Sequence, residues 1–192
     1  MSVKENVKKN ALILSLSKIT SSQLFWILGF SILTVFAAQV SIPVKPVPFT
    51  LQTMLVLLAG AFLGARNGAY SQIAYLAAGA IGVPVFANFS LGFATLFGPT
   101  GGYLLAFPVA AYLVGKIVEQ NKSLWAVAAS MVLGTLLILV AGALYLSLFF
   151  DGNLSSVITP GILIFSPWAI IKVSAAVSVY YAVSKKFPKL PA

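Results

Sequence analysis

The sequence contains no cysteine and no histidine. The first absence excludes thiol catalysis and disulfides, and the two together remove the usual zinc ligands. Acids are nearly as scarce, with three Asp plus Glu against twelve Lys plus Arg in 192 residues. Charged side chains make up 8% of the chain, where a soluble domain of this size carries roughly 25%. Water is therefore not its main solvent. So few carboxylates leave no intramembrane acid pair for acid–base catalysis, and no serine stands beside an evident base. The turn Gly98-Pro99-Thr100-Gly101-Gly102 lacks the Gly-Lys-Ser/Thr ending of a Walker loop. Neither an enzyme nor a self-sufficient ATPase is expected, and neither a metal nor a cofactor.

What the chain does have is apolar length: 60% hydrophobic residues and a mean hydropathy of +1.02. A spanning helix needs about 20 predominantly apolar residues. Six segments read as spans, at about 24–42, 50–63, 69–83, 102–118, 124–150 and 162–184. The second and third are short; the fifth is long enough to tilt. The expectation is an all-α integral membrane protein, one domain over 1–192, with a six-helix bundle and structured outer loops. Residues 1–23 form a cytoplasmic N-terminal segment, of which 11–23 suit an interfacial helix.

The cations fix an orientation. Lys4, Lys8, Lys9 and Lys18 precede the first span, and Arg66, Lys116 and Lys122 lie in alternate connections. Lys185, Lys186 and Lys189 follow the last span. With both termini cytoplasmic, ten of the twelve cations fall inside, as the positive-inside rule requires. The same scatter argues against a nucleic-acid partner, which needs cations on one face with aromatics between them. A cleaved signal peptide is the competing reading of the N-terminus, but its apolar run is nearer a span than the 7–15 residues of a signal core.

Small residues recur every fourth position at Ala74/Ala78/Gly82, Gly102/Ala106/Ala110, Ala126/Ser130/Gly134 and Ser174/Ser178/Ala182. Such rows let helices approach closely in lipid, within one bundle or against another subunit.

Two outer connections are unusual. Residues 43–52, PVKPVPFTLQ, are stiff with proline and carry Lys45. The connection from Val83 to Gly101 has no charge and is rich in Gly, Pro and Phe. Irregular backbone at membrane depth persists only where protein buries it or where it lines a cavity. A covered pocket opening outward is the expectation, with the proline stretch either its lid or a plain linker at the membrane surface.

Lys172 is the sharpest single residue. Thirteen residues before Lys185, it lies ~20 Å from the inner end of its helix, too far to reach that interface. An unpaired cation there costs at least ~2.5 kcal/mol. Three readings stay open: a lysine bonded to backbone carbonyls, an uncharged buried lysine, and one that binds an anionic or carbonyl-rich ligand. The last is favoured, because an intramembrane ionisable group is functional by default.

The segments VPFTLQT (47–53), LLAGAFLGARNGAYSQIAYLAAGAIGVPVFA (57–87) and LFGPTGGYLLAFPVAAYLVG (96–115) closely resemble the BioY family. Those proteins are biotin-binding S components of energy-coupling-factor (ECF) transporters. The resemblance implies high-affinity capture of biotin from outside. It also implies three partners, a membrane coupling subunit and two cytoplasmic ATPases that alone use ATP, in a bacterial cell membrane. The family's Pro-Gly-Asp-x-x-Lys pattern reads here Pro167-Trp168-Ala169-Ile170-Ile171-Lys172. The lysine is kept and the acid is lost, so a related vitamin or a biotin precursor is the alternative ligand. A non-transport membrane assembly protein is the alternative from another class.

The expected polar contacts are Asn88, Lys172 and Tyr103, with Gln52 at the mouth. Phe86, Phe89 and Trp168 are the expected apolar walls. Gln52 reads equally as a glutamine bonding a neighbouring helix, and Tyr103 and Trp168 also suit interfacial anchors. The Ala-x-x-x-Ala contact motif of many S components has only Thr34-x-x-x-Ala38 as its counterpart.

Overall fold

A computed structural model describes residues 23–151 and 154–186. Lys4, Lys8, Lys9, Lys18 and Lys189, and nearly all of the proposed interfacial segment, lie outside them. Helix α1 (Gln23–Gln39) leads into a short antiparallel pair, β1 (Ser41–Ile42) and β2 (Phe49–Thr50). Helix α2 (Gln52–Ala80) follows, then a 3-10 turn (Ala87–Phe89) and the short α3 (Gly92–Leu96). The chain continues through α4 (Gly101–Gln120), α5 (Leu124–Ser147), the short α6 (Leu154–Ile158), a π-helical turn (Thr159–Leu163) and α7 (Ser166–Lys186).

Three of these stretches are long and apolar enough to cross a membrane, at Gly101–Gln120, Leu124–Ser147 and Ser156–Lys185, and Gln23–Gln39 is a shorter apolar helix. Their outer faces expose large apolar side chains, such as Leu28, Ile32 and Phe36 on α1 and Val132, Leu136 and Val140 on α5. Helices suit that solvent because every backbone group is satisfied within the segment.

Helix α2 is continuous in sequence but folds back on itself. Gly64 has φ 77° and ψ 179°, a backbone state essentially closed to residues with a Cβ. A Cβ on Gly68 would stand 2.8 Å from the Cα of Gly60, although eight residues of straight helix would separate them by ~12 Å. Gln52 Nε2 donates to Tyr75 Oη at 2.6 Å across 23 residues, a separation of ~34 Å in a straight helix. Two antiparallel arms, 52–63 and 65–80, result. They correspond to the expected segments 50–63 and 69–83.

Glu119 stabilises the turn from α4. Its Oε1 accepts the Ala65 N–H at 2.7 Å, capping the second arm with a negative charge where the helix dipole favours one. Nearby, a Cβ on Gly115 would stand 2.4 Å from the Ala65 nitrogen. Only glycine lets α4 approach the turn this closely.

The small-residue rows divide by helix. Gly102, Ala106 and Ala110 are buried in the bundle, as are Ser130 and Gly134 on α5. Ser174, Ser178 and Ala182 are exposed on α7. Thr34 and Ala38 face inward and are wholly buried. The Thr34 hydroxyl donates to Phe30 O at 2.8 Å and accepts Gln72 Nε2 at 3.3 Å. That pair therefore joins α1 to the second arm of α2 and is no outer contact face.

Apolar packing forms two clusters. One, at the end bearing the strands, includes Tyr75, Phe86, Tyr103, Phe107, Ile138 and Phe165. The other lies toward the Gly64 turn and includes Phe30, Leu57, Phe62, Met131 and Tyr180. A cavity opens within the first.

Candidate ligand-binding cavity

The proline-rich stretch forms a strap over the bundle. Ser41 pairs with Thr50 and Ile42 with Phe49, so residues 43–48 make a closed loop between them. Prolines suit this loop because they restrict the chain and leave few N–H donors to satisfy. Below the strap lies a cavity of about 290 Å³, near the small end of the range for ligand sites. Val47, Pro48 and Thr50 of the strap line it, with Thr53, Ser90, Thr95 and Thr100. Its apolar lining includes Phe86, Leu104, Phe107, Ile138, Leu139, Phe165 and Ala169.

Lys172 lies six residues into α7, ~9 Å below the helix start. Its Nζ donates to the Thr50 carbonyl at 3.2 Å and borders the cavity. Two of the open readings thus coincide: the lysine bonds a carbonyl, and it faces a ligand-sized space. An ammonium has three donors, so its bond to Thr50 leaves two for a ligand. Among the described residues, no carboxylate lines the cavity.

Gln52 is held on both sides. Its Oε1 accepts from Thr50 Oγ1 at 2.8 Å, and its Nε2 donates to Tyr75 Oη. Tyr75 Oη donates onward to Val85 O at 3.2 Å. This chain ties the strap, both arms of α2 and the following loop together, so Gln52 positions the cavity floor as well as lining it. Phe86 follows directly. Its ring packs on Gly79, where a Cβ would stand 2.1 Å from the ring, and crosses Tyr75 edge-on at 5.6 Å.

The loop after Phe86 is under backbone strain. Asn88 and Phe89 have φ of 55° and 57°, a left-handed conformation that asparagine tolerates and phenylalanine does not favour. Gln39, at the end of α1, holds it there. Its Nε2 donates to Phe86 O at 3.1 Å, and its Oε1 accepts Phe89 N–H at 3.1 Å. Asn88 borders the cavity, and its Oδ1 accepts from Ser41 Oγ at 3.0 Å.

Tyr103 contributes a wall more than a donor. Its ring lies on Gly142, where a Cβ would stand 2.2 Å away. Its hydroxyl donates to Gly161 O at 2.9 Å, holding the π-helical turn.

Five of the seven expected residues therefore meet at one cavity: Lys172, Asn88, Tyr103, Gln52 and Phe86. Phe89 and Trp168 do not line it. Phe89 is 67% exposed, because its left-handed φ turns the side chain away while its N–H goes to Gln39. Trp168 lies against Phe49 at 6.3 Å and, with Lys172, borders a smaller cavity of about 140 Å³ beside the strap. Gln39, Tyr75 and Thr53 were missed. Gln39 and Tyr75 act through other residues, and only pairing across the fold reveals them.

A model of the BioY family matches residues 8–189. The chain belongs to the BioY family. A probable biotin transporter BioY of Pyrococcus horikoshii is 39% identical over 148 residues, covering 77% of this chain and 87% of that protein. The biotin transporter BioY of Thermotoga maritima is 39% identical over 147 residues, covering 77% and 86%. The crystal structure of the S-component for biotin from an ECF-type ABC transporter superposes with a TM-score of 0.80 at 26% identity, covering 96% of this chain and 95% of that one. These BioY relatives are transporters rather than enzymes. This BioY chain is accordingly a multi-pass membrane protein.

Proposed function

We propose that the chain is the biotin-binding S component of an ECF-type ABC transporter, capturing biotin from the outer side of a bacterial inner membrane. Six spans carry it: α1, the two arms of α2, α4, α5 and α7, with both termini cytoplasmic. The distribution of charge supports that orientation. Gln23, Arg66, Lys116 and Glu119 border one polar cavity near the Gly64 turn, while Lys45 belongs to the strap at the other end. A coupling subunit and two cytoplasmic ATPases would supply energy, since the chain has no nucleotide-binding loop of its own.

One observation carries the ligand assignment: Lys172 borders a cavity of about 290 Å³ in a chain whose relatives are biotin transporters. Biotin offers a ureido carbonyl and two N–H groups, an apolar thiophane ring and a carboxylate. Lys172 takes the ligand's oxygen, Asn88 a ureido group, and Phe86, Phe107 and Phe165 the ring. Ala169 favours a second reading, a biotin precursor or another carboxylated vitamin, because its methyl lines the cavity where an acid would accept ureido protons. Calorimetry against biotin, dethiobiotin and an unrelated vitamin separates the two. A heat signal from the unrelated compound alone would remove biotin.

A further inference from the structure

Thr53 stands in the first turn of α2 and lines the cavity. Its Oγ1 is shielded from solvent and makes no hydrogen bond among the described residues. A helical threonine ordinarily returns its proton to a carbonyl three or four residues back. Thr34 and Thr135 do so, to Phe30 O and Met131 O, each at 2.8 Å. For Thr53 the corresponding carbonyls are those of Thr50 and Phe49. Both precede the helix, in the strand paired with β1, and neither accepts the Thr53 hydroxyl. A second such atom among the described residues, Gln72 Oε1, borders neither the main cavity nor its smaller neighbour. A buried hydroxyl lacking a partner destabilises the fold unless something entering the cavity satisfies it.

Thr53 and Lys172 line the same cavity. Lys172 Nζ bonds Thr50 O, and Thr53 follows three residues later, in the first turn of α2. The ammonium only donates, whereas the hydroxyl can also accept. We infer that Thr53 Oγ1 and Lys172 Nζ form a donor–acceptor pair that reads an N–H–C=O edge of the ligand, of the kind a cyclic urea or amide presents. Lysine takes the carbonyl oxygen, and threonine takes the N–H. A neutral hydroxyl fits this role in a cavity lined by no described carboxylate.

This inference rests on the biotin-binding reading above, and its test distinguishes the two. Thr53→Val keeps the shape and removes the hydroxyl; Thr53→Ala is a second deletion, and Thr53→Ser keeps the hydroxyl. Titration of each purified protein with biotin is compared with the melting midpoint of the ligand-free protein. Loss of one ligand hydrogen bond predicts about tenfold weaker binding for Thr53→Val and Thr53→Ala. Thr53→Ser retains binding. The ligand-free midpoint of Thr53→Val is not lowered, because no internal bond is lost. A merely structural hydroxyl gives the reverse, a lowered midpoint with unchanged affinity. Wild-type binding matched by Thr53→Val overturns the inference alone, whereas no binding by the wild type overturns the parent reading and this one with it.

Discussion

The Nζ of Lys172 lies 3.2 Å from the carbonyl oxygen of Thr50, across 122 residues of sequence. That bond joins the last long helix to the strap and sets one cation at the edge of the cavity. Replacing Lys172 with Ala removes the cation and its bond to Thr50 together. Charged hydrogen bonds are worth about 1.5–3 kcal/mol, so biotin affinity should fall roughly tenfold to a hundredfold. Lys172→Met keeps most of the side-chain bulk and should show a similar loss. Unchanged affinity in both variants would remove Lys172 from the site.

Gly79 carries the ring of Phe86 where a Cβ would stand 2.1 Å from it. Gly79→Ala must displace that ring, and overpacking of this kind costs about 1–3 kcal/mol. Both the melting midpoint and the ligand affinity should drop. Gly29→Ala serves as a control, because nothing lies within 4 Å of its Cβ position. Equal midpoints for the two variants would contradict the placement of Phe86.

Gln39 bonds Phe86 O and Phe89 N–H, and so holds two left-handed residues in place. Gln39→Leu should leave the bundle folded but release residues 86–90. Hydrogen exchange there should rise with little change in α4 or α5, and ligand affinity should fall through Asn88 and Phe86. Unaltered protection of that loop would show that its strain is held elsewhere.

The hairpin turn makes a separate prediction about stability. A Cβ on Gly64 would stand within 2.3 Å of Glu119 Oε1, and φ is 77° there. Gly64→Ala combines backbone strain of order 1–3 kcal/mol with loss of the Glu119 cap. Glu119→Ala removes only the cap, at about 1 kcal/mol. Unfolding in detergent should rank Gly64→Ala as the more damaging change. The reverse order would mean that α2 does not fold back at Gly64.

Much of this arrangement was legible in the sequence, and particular residues show why. The apolar runs place α4, α5 and α7 to within a few residues, since spanning length leaves little freedom. The segments 50–63 and 69–83 read only as two short spans, and it is φ at Gly64 that shows one helix turning back between them. Lys172 stood out because its type is costly at its depth. Phe89 and Trp168 fall outside the main cavity, and aromatic residues beside a pocket suit its wall and its rim equally. Backbone geometry decides between them: left-handed φ turns Phe89 outward, and Trp168 lies across the strap from the cavity. The partners of Gln39 and Gln52 lie too far along the chain for spacing to indicate.

The central claim is that this one chain, without its partners, binds biotin through the cavity bordered by Lys172. Calorimetric titration of the purified protein with biotin, repeated on Lys172→Ala, tests it most directly. The account predicts saturable one-site binding to the wild type and at least tenfold weaker binding to the variant. A wild type that binds an unrelated vitamin but not biotin, or a variant that binds biotin as tightly as the wild type, would contradict it.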